Sequence, residues 1–342
     1  MAMSGGVDSS AAACLLLADG YKVSGATMKL FADGQDADCI DAQGVCRQLG
    51  ISHCILDYSE MFKSQVIDRF ITGYMAGKTP NPCVDCNREL KFGKFLEHSL
   101  ELGFTYIATG HYARVLPDAG GSRYLLKKAK DFSKDQSYVL FSLKQKHLSK
   151  IFFPLGSYTK NEIREIVSSY GLGNSQKPDS QDICFVRDGS YRDFIAKNTG
   201  TNGREGDFID NSGNILGRHK GIENYTIGQR KGIGISHSFP LYVCKKDSSS
   251  NTVTLGNEDD LYTVTFTARN INLIAVDHLD APTKAMVRIW YNGAEAPAVL
   301  HQTSENEVTV EFDKPQRAIA PGQAAVFYDG EVVIGGGIIE RK

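Results

Sequence analysis

The stretch Ser4-Gly5-Gly6-Val7-Asp8-Ser9-Ser10 places the tightest constraint on this 342-residue chain, because an apolar run, Ala11 to Leu17, follows it at once. Two glycines ahead of hydroxyls and a helix start predict a phosphate cradle. Glycine lets the backbone approach an anion closely, and the N–H groups of a helix start carry partial positive charge. Asp8 would repel a bare phosphate, and a magnesium ion between the two reconciles them. No lysine precedes the hydroxyls, so the loop is not of the G-x-x-x-x-G-K-[ST] type. The bland alternative is a Ser/Asp/Gly helix cap with no ligand.

The segments that follow alternate between the two periodicities. Gly20 to Met28 reads as a turn and a strand, Asp38 to Leu49 as a helix stopped by Gly50, and Ser52 to Leu56 as a strand. Phe62 to Tyr74 and Lys91 to Leu102 read as helices, and Tyr106 to Thr109 as a strand. This β–α–β–α order predicts a doubly wound parallel α/β sheet with ligands beyond the carboxyl ends of its strands, where the opening loop lies. Met28 and Gly110 then fall at strand ends beside a nucleotide, and His111 follows as a candidate site residue. A loop of this kind normally leaves a central strand, yet only Met1, Ala2 and Met3 precede it. The expectation is that a first strand is missing and that upstream codons encode a short Val/Ile/Leu-rich run. Thr159 and Glu162 predict a capped helix ending at Gly171.

From Thr199 glycines multiply and short strands alternate with turns. Gly206 to Ile209 and Ile215 to Gly217 are such strands, and Tyr225 to Ile235 is a basic, Gly-rich segment. From 259 onward the pattern is of regular strands: Val264–Ala268, Ala285–Trp290, Ala298–Gln302, Glu307–Phe312, Ala324–Tyr328 and Val332–Gly337. This predicts a C-terminal antiparallel β-barrel. The expected domains are 1–195 (α/β, carrying the phosphate loop), 196–258 (small, Gly-rich and β-containing) and 259–342 (barrel).

Charge and cysteine usage narrow the class. The net charge of -2 conceals eight Lys/Arg against two Asp in residues 123–150, and seven Lys/Arg against thirteen Asp/Glu in residues 256–342. The basic stretch reads either as a phosphate-backbone footprint or as a solvated face. No apolar run reaches membrane-spanning length, no secretory signal precedes the loop, and eight cysteines without a regular framework favour a reducing cytoplasm. Cys83 and Cys86 form a C-x-x-C placed in a loop entering the helix at Lys91, with no second ligand pair for zinc. A thiol near a helix start beside Arg88 is expected to have a lowered pKa. Cys14, Cys46, Cys54 and Cys244 read as core fillers, Cys39 is unassigned, and Cys184 stands alone in the loop Lys177–Phe185.

The opening loop resembles the pyrophosphatase-type loop of enzymes that cleave ATP to AMP and pyrophosphate. These include GMP, NAD and argininosuccinate synthetases and several tRNA-thiolating enzymes. With NPCVDCNRELKFG, DSQDICF, GHYAR, SKDQSY, YTIGQRKGIGI and PGQAAVFY, the chain resembles the tRNA-specific 2-thiouridylase family over nearly its whole length. The resemblance implies that 1–195 is the ATP-binding catalytic domain and 196–258 a central tRNA-binding domain, with ATP bound by Ala2, Met3, Ser4, Gly5, Gly6, Val7, Asp8, Ser9, Met28 and Gly110, and with Mg2+. It implies Cys86 as the nucleophile and Cys184 as the persulfide carrier, joined transiently in a disulfide. Asn81, Pro82 and Cys83 would face a flipped-out base; the family often has Asp where Cys83 stands. Lys134, Asp135 and Gln136 match a tRNA-contacting triplet. Trp290 and Tyr291 fall where the family usually has Arg-Tyr, with Trp290 as core the alternative, and Gln323 matches a site residue. The implied activity is ATP-dependent 2-thiolation of the wobble uridine in tRNAs with Lys, Glu and Gln type anticodons. The implied sulfur donor is a cysteine desulfurase or a sulfur-relay protein, and the implied state a cytoplasmic monomer. Another pyrophosphatase-loop thiolase, an ATP-dependent amidotransferase and a non-catalytic RNA-binding module are the competing readings.

Overall fold

The computed structural model describes residues 1–32, 37–175, 177, 183–186, 189–201 and 203–340. The nucleotide sheet is built from the N-terminal part of the chain. Helix α1 (Val7–Ala18) leads to strand β1 (Gly25–Lys29), helix α2 (Ala37–Gln48) and strand β2 (His53–Asp57), which pairs parallel with β1. Strand β3 (Ile107–Ala108) precedes a hairpin of β4 (Ala113–Pro117) and β5 (Tyr124–Lys128), and β6 (Ile151–Phe152) returns to pair parallel with β3.

The two halves of that sheet are joined by the first three residues. Ala26 N donates to Met1 O, Met3 N donates to Ala26 O, and Ala2 N donates to Ala108 O, each at 2.8–2.9 Å. Ala2 makes a single parallel bridge to Ala26, so Met1 to Met3 occupy the place between β1 and β3 where the expected first strand would run. Residues on one sheet face, Ala11, Ala12, Ala13 and Cys14, are fully buried against Ala42, Val45, Ile163 and Val167. On the other face Phe62, Phe70, Leu90, Phe92 and Phe95 form a second core. Helices therefore cover both faces, as the alternation predicts. The expected cap is present: Thr159 Oγ1 accepts from Glu162 N, and Glu162 Oε2 accepts from Thr159 N, at the start of the helix Lys160–Ser169.

A helix, Tyr191–Thr199, covers the expected boundary at 195 and leads into a four-stranded sheet. Its strands are β7 (Gly206–Ile209), β8 (Ile215–His219), β9 (Tyr242–Asp247) and β10 (Thr252–Gly256), ordered β8-β7-β10-β9. The C-terminal strands are β11 (Tyr262–Leu273), β12 (Thr283–Arg288), β13 (Ala296–Ser304), β14 (Glu307–Arg317), β15 (Ala324–Asp329) and β16 (Val332–Glu340). They run β11-β14-β13-β12-β15-β16, and antiparallel pairing of β11 with β16 closes the barrel.

The β4–β5 hairpin was invisible to the strand pattern, and it joins part of the basic stretch to the acidic barrel. It extends the barrel sheet beside β16, with Lys127 opposite Val332. Lys128, 7% exposed, donates to Glu295 Oε2 at 2.8 Å and to the Gly330 carbonyl at 2.9 Å. Arg114 pairs with Glu331 at 3.0 Å, and Arg123 pairs with Asp277. The footprint reading of residues 123–150 is corrected for Arg123 and Lys128 alone. They meet the acidic barrel, because a buried ammonium needs a carboxylate partner. Among the described residues no helix is long and apolar enough to cross a membrane.

Lys128→Ala takes from Glu295 one of the two cations that flank it, the other being Arg288. The loss is expected to cost about 3 kcal/mol, as for other broken buried pairs. Lys127→Ala, one residue earlier, is expected to stay within about 0.5 kcal/mol. Urea midpoints of the two variants test the difference.

Candidate active site

The opening loop is shaped by what it touches. Gly5 has φ +69°, and a Cβ there would lie 2.5 Å from Asp41 Cβ. Gly6 is extended and starts α1 with no side-chain cap, leaving the first N–H groups of the helix for a ligand. The hydroxyls brace the loop: Ser9 and Ser10 donate to the Gly6 carbonyl at 3.1 and 2.9 Å, and Ser4 N donates to Ser9 Oγ at 3.2 Å. Asn174 Nδ2 adds bonds to Gly5 O and Ser10 Oγ. Ser10 is fully buried, so the loop presents backbone and Ser4 rather than a row of hydroxyls.

Asp8 has partners the sequence did not reveal. Its Oδ1 accepts from Lys160 Nζ and from the Tyr112 hydroxyl, both at 2.7 Å. Lys160 is 8% exposed, so Asp8 faces a buried ammonium where a metal alone had been expected to offset it. No group of three or more His, Cys, Asp or Glu suited to a metal occurs among the described residues. Gly110 seals the other side. A Cβ there would lie 2.8 Å from Asp8 C and 2.9 Å from Ser9 N, so only glycine lets this loop reach α1. Met3 and Val7 are buried beneath the loop, and Met28 is half-buried at the end of β1.

His111 is held by Thr109 Oγ1 at 2.7 Å and lies between the rings of Phe92 and Phe153. Burial, reinforced by the Lys91 charge, holds its pKa well below the ordinary imidazole value. It is a neutral imidazole at pH 7.

The thiol segment departs from its expected local structure. Cys83 and Cys86 are not in a loop: the helix begins at Pro82, with Asn81 Oδ1 accepting from Cys83 N at 3.1 Å. Proline at the first helical position and an Asn cap are a strong start signal. The helix then runs through π-type turns from Cys86 to Lys94 before Phe95–Glu101. In an α-helix residues five apart are rotated by about 140°. In i→i+5 turns they stack, which brings Lys91 round to the face of Cys86. A Cβ on Gly93 would lie 2.9 Å from the Arg88 carbonyl oxygen, so the small residue suits this register.

The lowered thiol pKa expected from Arg88 is also corrected. Arg88 turns to Asp85 at 2.6 Å and Glu89 at 3.0 Å. Burial pushes the Cys86 thiol up; Lys91 pulls it down, and Cys83 and Asp85 push it further up. Cys184 is exposed on one side, but the surrounding chain desolvates its thiol. With Cys86 and Cys83 nearby it is pushed up to about 12, Lys91 again opposing. Cys83, Cys86 and Cys184 are thus all within electrostatic reach of one cation, Lys91, and all are free thiols. The anchor for Cys184 is its neighbour Phe185, whose ring packs on Phe194, Phe70 and Phe62 at 5.0, 5.2 and 5.9 Å. Residues 178–182 of that loop lie outside the described residues. Elsewhere Cys14, Cys39, Cys46 and Cys244 are buried, but Cys54, expected in the core, is exposed.

The barrel reaches this helix start. Gln323 Nε2 donates to Thr79 O and Thr79 N donates to Pro321 O, at 2.8 and 2.7 Å, just ahead of Asn81. Tyr291 meets Tyr138 edge-on at 5.9 Å, and burial together with nearby Cys83 raises its phenol pKa. Trp290 is half-buried where the barrel core meets the central-sheet core. Gln136 Oε1 accepts from Tyr112 N at 3.0 Å, joining its loop to the Asp8 cluster. Asp135 is buried and accepts from Ala129 N, Ser137 N and Ser137 Oγ, with Arg288 of the barrel at 3.6 Å. Lys134 is half-exposed beside it.

Fold and site together define a HUP-type nucleotide-binding enzyme with a thiol cluster beside its nucleotide loop. Residues 1–188 match the tRNA methyl transferase HUP domain model, 192–257 the tRNA methyl transferase PRC-barrel domain model, and 263–339 the aminomethyltransferase β-barrel domain model. The chain is 45% identical to the tRNA-specific 2-thiouridylase MnmA of Acetivibrio thermocellus, over 99% of this chain and 98% of that one. It is 46% identical to the protein of the same name from Halothermothrix orenii, over 100% and 98%. The Clostridioides difficile protein of that name is 44% identical over 99% and 97%. The chain belongs to the tRNA-specific 2-thiouridylase family.

Lys160, Tyr112, Lys91, Phe185 and Asn174 had not been singled out from sequence. Tyr112 adjoins Gly110-His111 and Phe185 adjoins Cys184, so adjacency was the available signal; Lys160 and Asn174 carried none.

Gly110→Ala is expected to displace the α1 start and lower ATP-dependent pyrophosphate release about 100-fold, the effect of misplacing a reacting group by about 1 Å. Lys91→Met is expected to raise the Cys86 thiol pKa further. Alkylation requires thiolate, so iodoacetamide should modify Cys86 in that variant about tenfold more slowly at a fixed pH below the thiol pKa.

Proposed function

We propose that this chain is an ATP-dependent tRNA-uridine 2-sulfurtransferase acting at the anticodon wobble position. The observation that carries the reading is the convergence of Cys86 and Cys184 around Lys91, in a chain whose nucleotide loop is sealed by Gly110. ATP lies against residues Ala2 to Ser9, Met28 and Gly110, its phosphates on the open N-terminus of α1. Lys160 holds Asp8 in place from behind. Asp8 is partly exposed, with Oδ2 turned from the Lys160 and Tyr112 bonds, which suits a Mg2+ bound mainly through phosphates. When bound, the ion would neutralise charge on the departing pyrophosphate.

The C2 oxygen of uridine is a poor leaving group, and AMP transferred to it becomes a good one. Asn81, Pro82 and Cys83 line the approach for a base splayed out of its stack. Lys134 and Gln136 offer polar groups to RNA. Asp135 contributes by bracing that loop, since its carboxylate is inward and bonded. Tyr291 and Trp290 supply ring surface from the barrel, and Gln323 positions the helix start through Thr79. His111, neutral and fixed by Thr109, offers Nε2 to the site. Sulfur arrives as a persulfide on Cys184 from a desulfurase or relay protein. Cys86 attacks the Cys184 sulfur, a Cys86–Cys184 disulfide forms, and the released hydrosulfide displaces AMP. tRNAs with Lys, Glu and Gln type anticodons are the proposed substrates, acted on in the cytoplasm by a monomer. An amidotransferase or a non-catalytic RNA-binding module would leave the thiol cluster without a role.

Cys184→Ser is expected to abolish 2-thiouridine formation, measured by mass spectrometry of the tRNA, and to retain tRNA-dependent pyrophosphate release. Retained thiolation removes Cys184 from the reaction.

A further inference from the structure

The transfer just described ends with Cys86 and Cys184 oxidised, and a third thiol stands beside them. Cys83 is exposed on the first turn of the thiol helix, three residues before Cys86. It lies within electrostatic reach of both Cys86 and Cys184. Residues three apart on a helix are neighbours, with Cβ atoms roughly 5–6 Å apart. Disulfides need Cβ atoms about 3.5–4.5 Å apart, so a closure of about 1–2 Å at the helix start suffices. Cys83 N bonds the Asn81 side chain, so this closure breaks no backbone hydrogen bond of the helix at Cys83 N. The groups facing the three thiols are Lys91, Asp85 and Tyr291.

We propose that Cys83 is a resolving thiol, which attacks Cys86 of the Cys86–Cys184 disulfide and returns Cys184 to the free thiol. The inference rests on the sulfur-transfer reading above. In this step the Cys83–Cys86 bond forms and the Cys86–Cys184 bond breaks. The electron pair leaves on Cys184, which takes up the proton that Cys83 gave up, so no net oxidation occurs. An external dithiol then reduces the Cys83–Cys86 disulfide with two electrons and two protons, becoming a disulfide itself. The arrangement frees the exposed Cys184 to accept its next sulfur while the Cys83–Cys86 pair awaits reduction through the exposed Cys83.

The test is a rapid-quench time course on the full-length wild-type enzyme with tRNA, ATP and a persulfide donor, without dithiol. Samples are quenched in N-ethylmaleimide and mapped as non-reduced peptides. The expected result is an early Cys86–Cys184 disulfide that decays into Cys83–Cys86, with Cys184 alkylated. The Cys83→Ser variant should stop at Cys86–Cys184. If Cys86–Cys184 persists in the wild type with Cys83 alkylated, the resolving role is overturned and the sulfur-transfer reading stands. If thiolated tRNA forms with no disulfide at Cys86 or Cys184, the sulfur-transfer reading itself fails. Where Cys83→Ser does not turn over, the wild-type time course decides alone.

Discussion

The seating of the helix that begins at Pro82 is the constraint on which the site depends. Its approach is clamped by the barrel, through Pro321 and Gln323 on Thr79, and Gly322 passes so close that a Cβ would lie 2.9 Å from Thr79 N. Its first turn is capped by Asn81, and its body is held by Asn87 Nδ2 on the Val139 carbonyl at 3.2 Å. Buried Leu90, Phe92 and Phe95 on the same helix anchor it in the first core. Barrel, nucleotide sheet and thiol helix therefore form one mechanical unit.

Electrostatics in this unit run against what local context suggests. Acidic residues of the barrel meet basic residues of the β4–β5 hairpin, so opposite charges that look like separate surfaces form an internal seam. Desolvation dominates over nearby cations at the thiols, and their pKa values rise rather than fall. A reactive sulfur held protonated until its partner and a cation are aligned is protected from oxidation. Lys91, turned toward Cys86 by the π-type register, is the cation best placed for that alignment.

Several features were legible because they are local. Thr159 and Glu162 announce a capping box, which is what forms. The alternating apolar positions of 264–337 marked every barrel strand, and the structure extends the first and last of them at both or one of their ends. The family motifs named Cys86 and Cys184, and in the fold the two thiols lie within electrostatic reach of each other. Other features were illegible. Residues 113–128 lack clear alternation; their strands pair with each other, and β5 meets β16 at Lys127 opposite Val332. The helix start was read at Lys91 instead of Pro82 because π-type turns do not follow the 3.6-residue period.

Alone, the chain of residues determined its elements: a Gly-rich loop before a buried helix, parallel strands, a barrel, and thiols at two places. Turn chemistry, caps and apolar spacing act over a few residues, so they can be read directly. Tertiary structure alone decided which cation meets Asp8, where Arg88 points, which lysines remain for solvent, and how far burial shifts each thiol. Desolvation and ion pairing are set by groups far apart in the chain, and their strength depends on how much water the whole fold excludes.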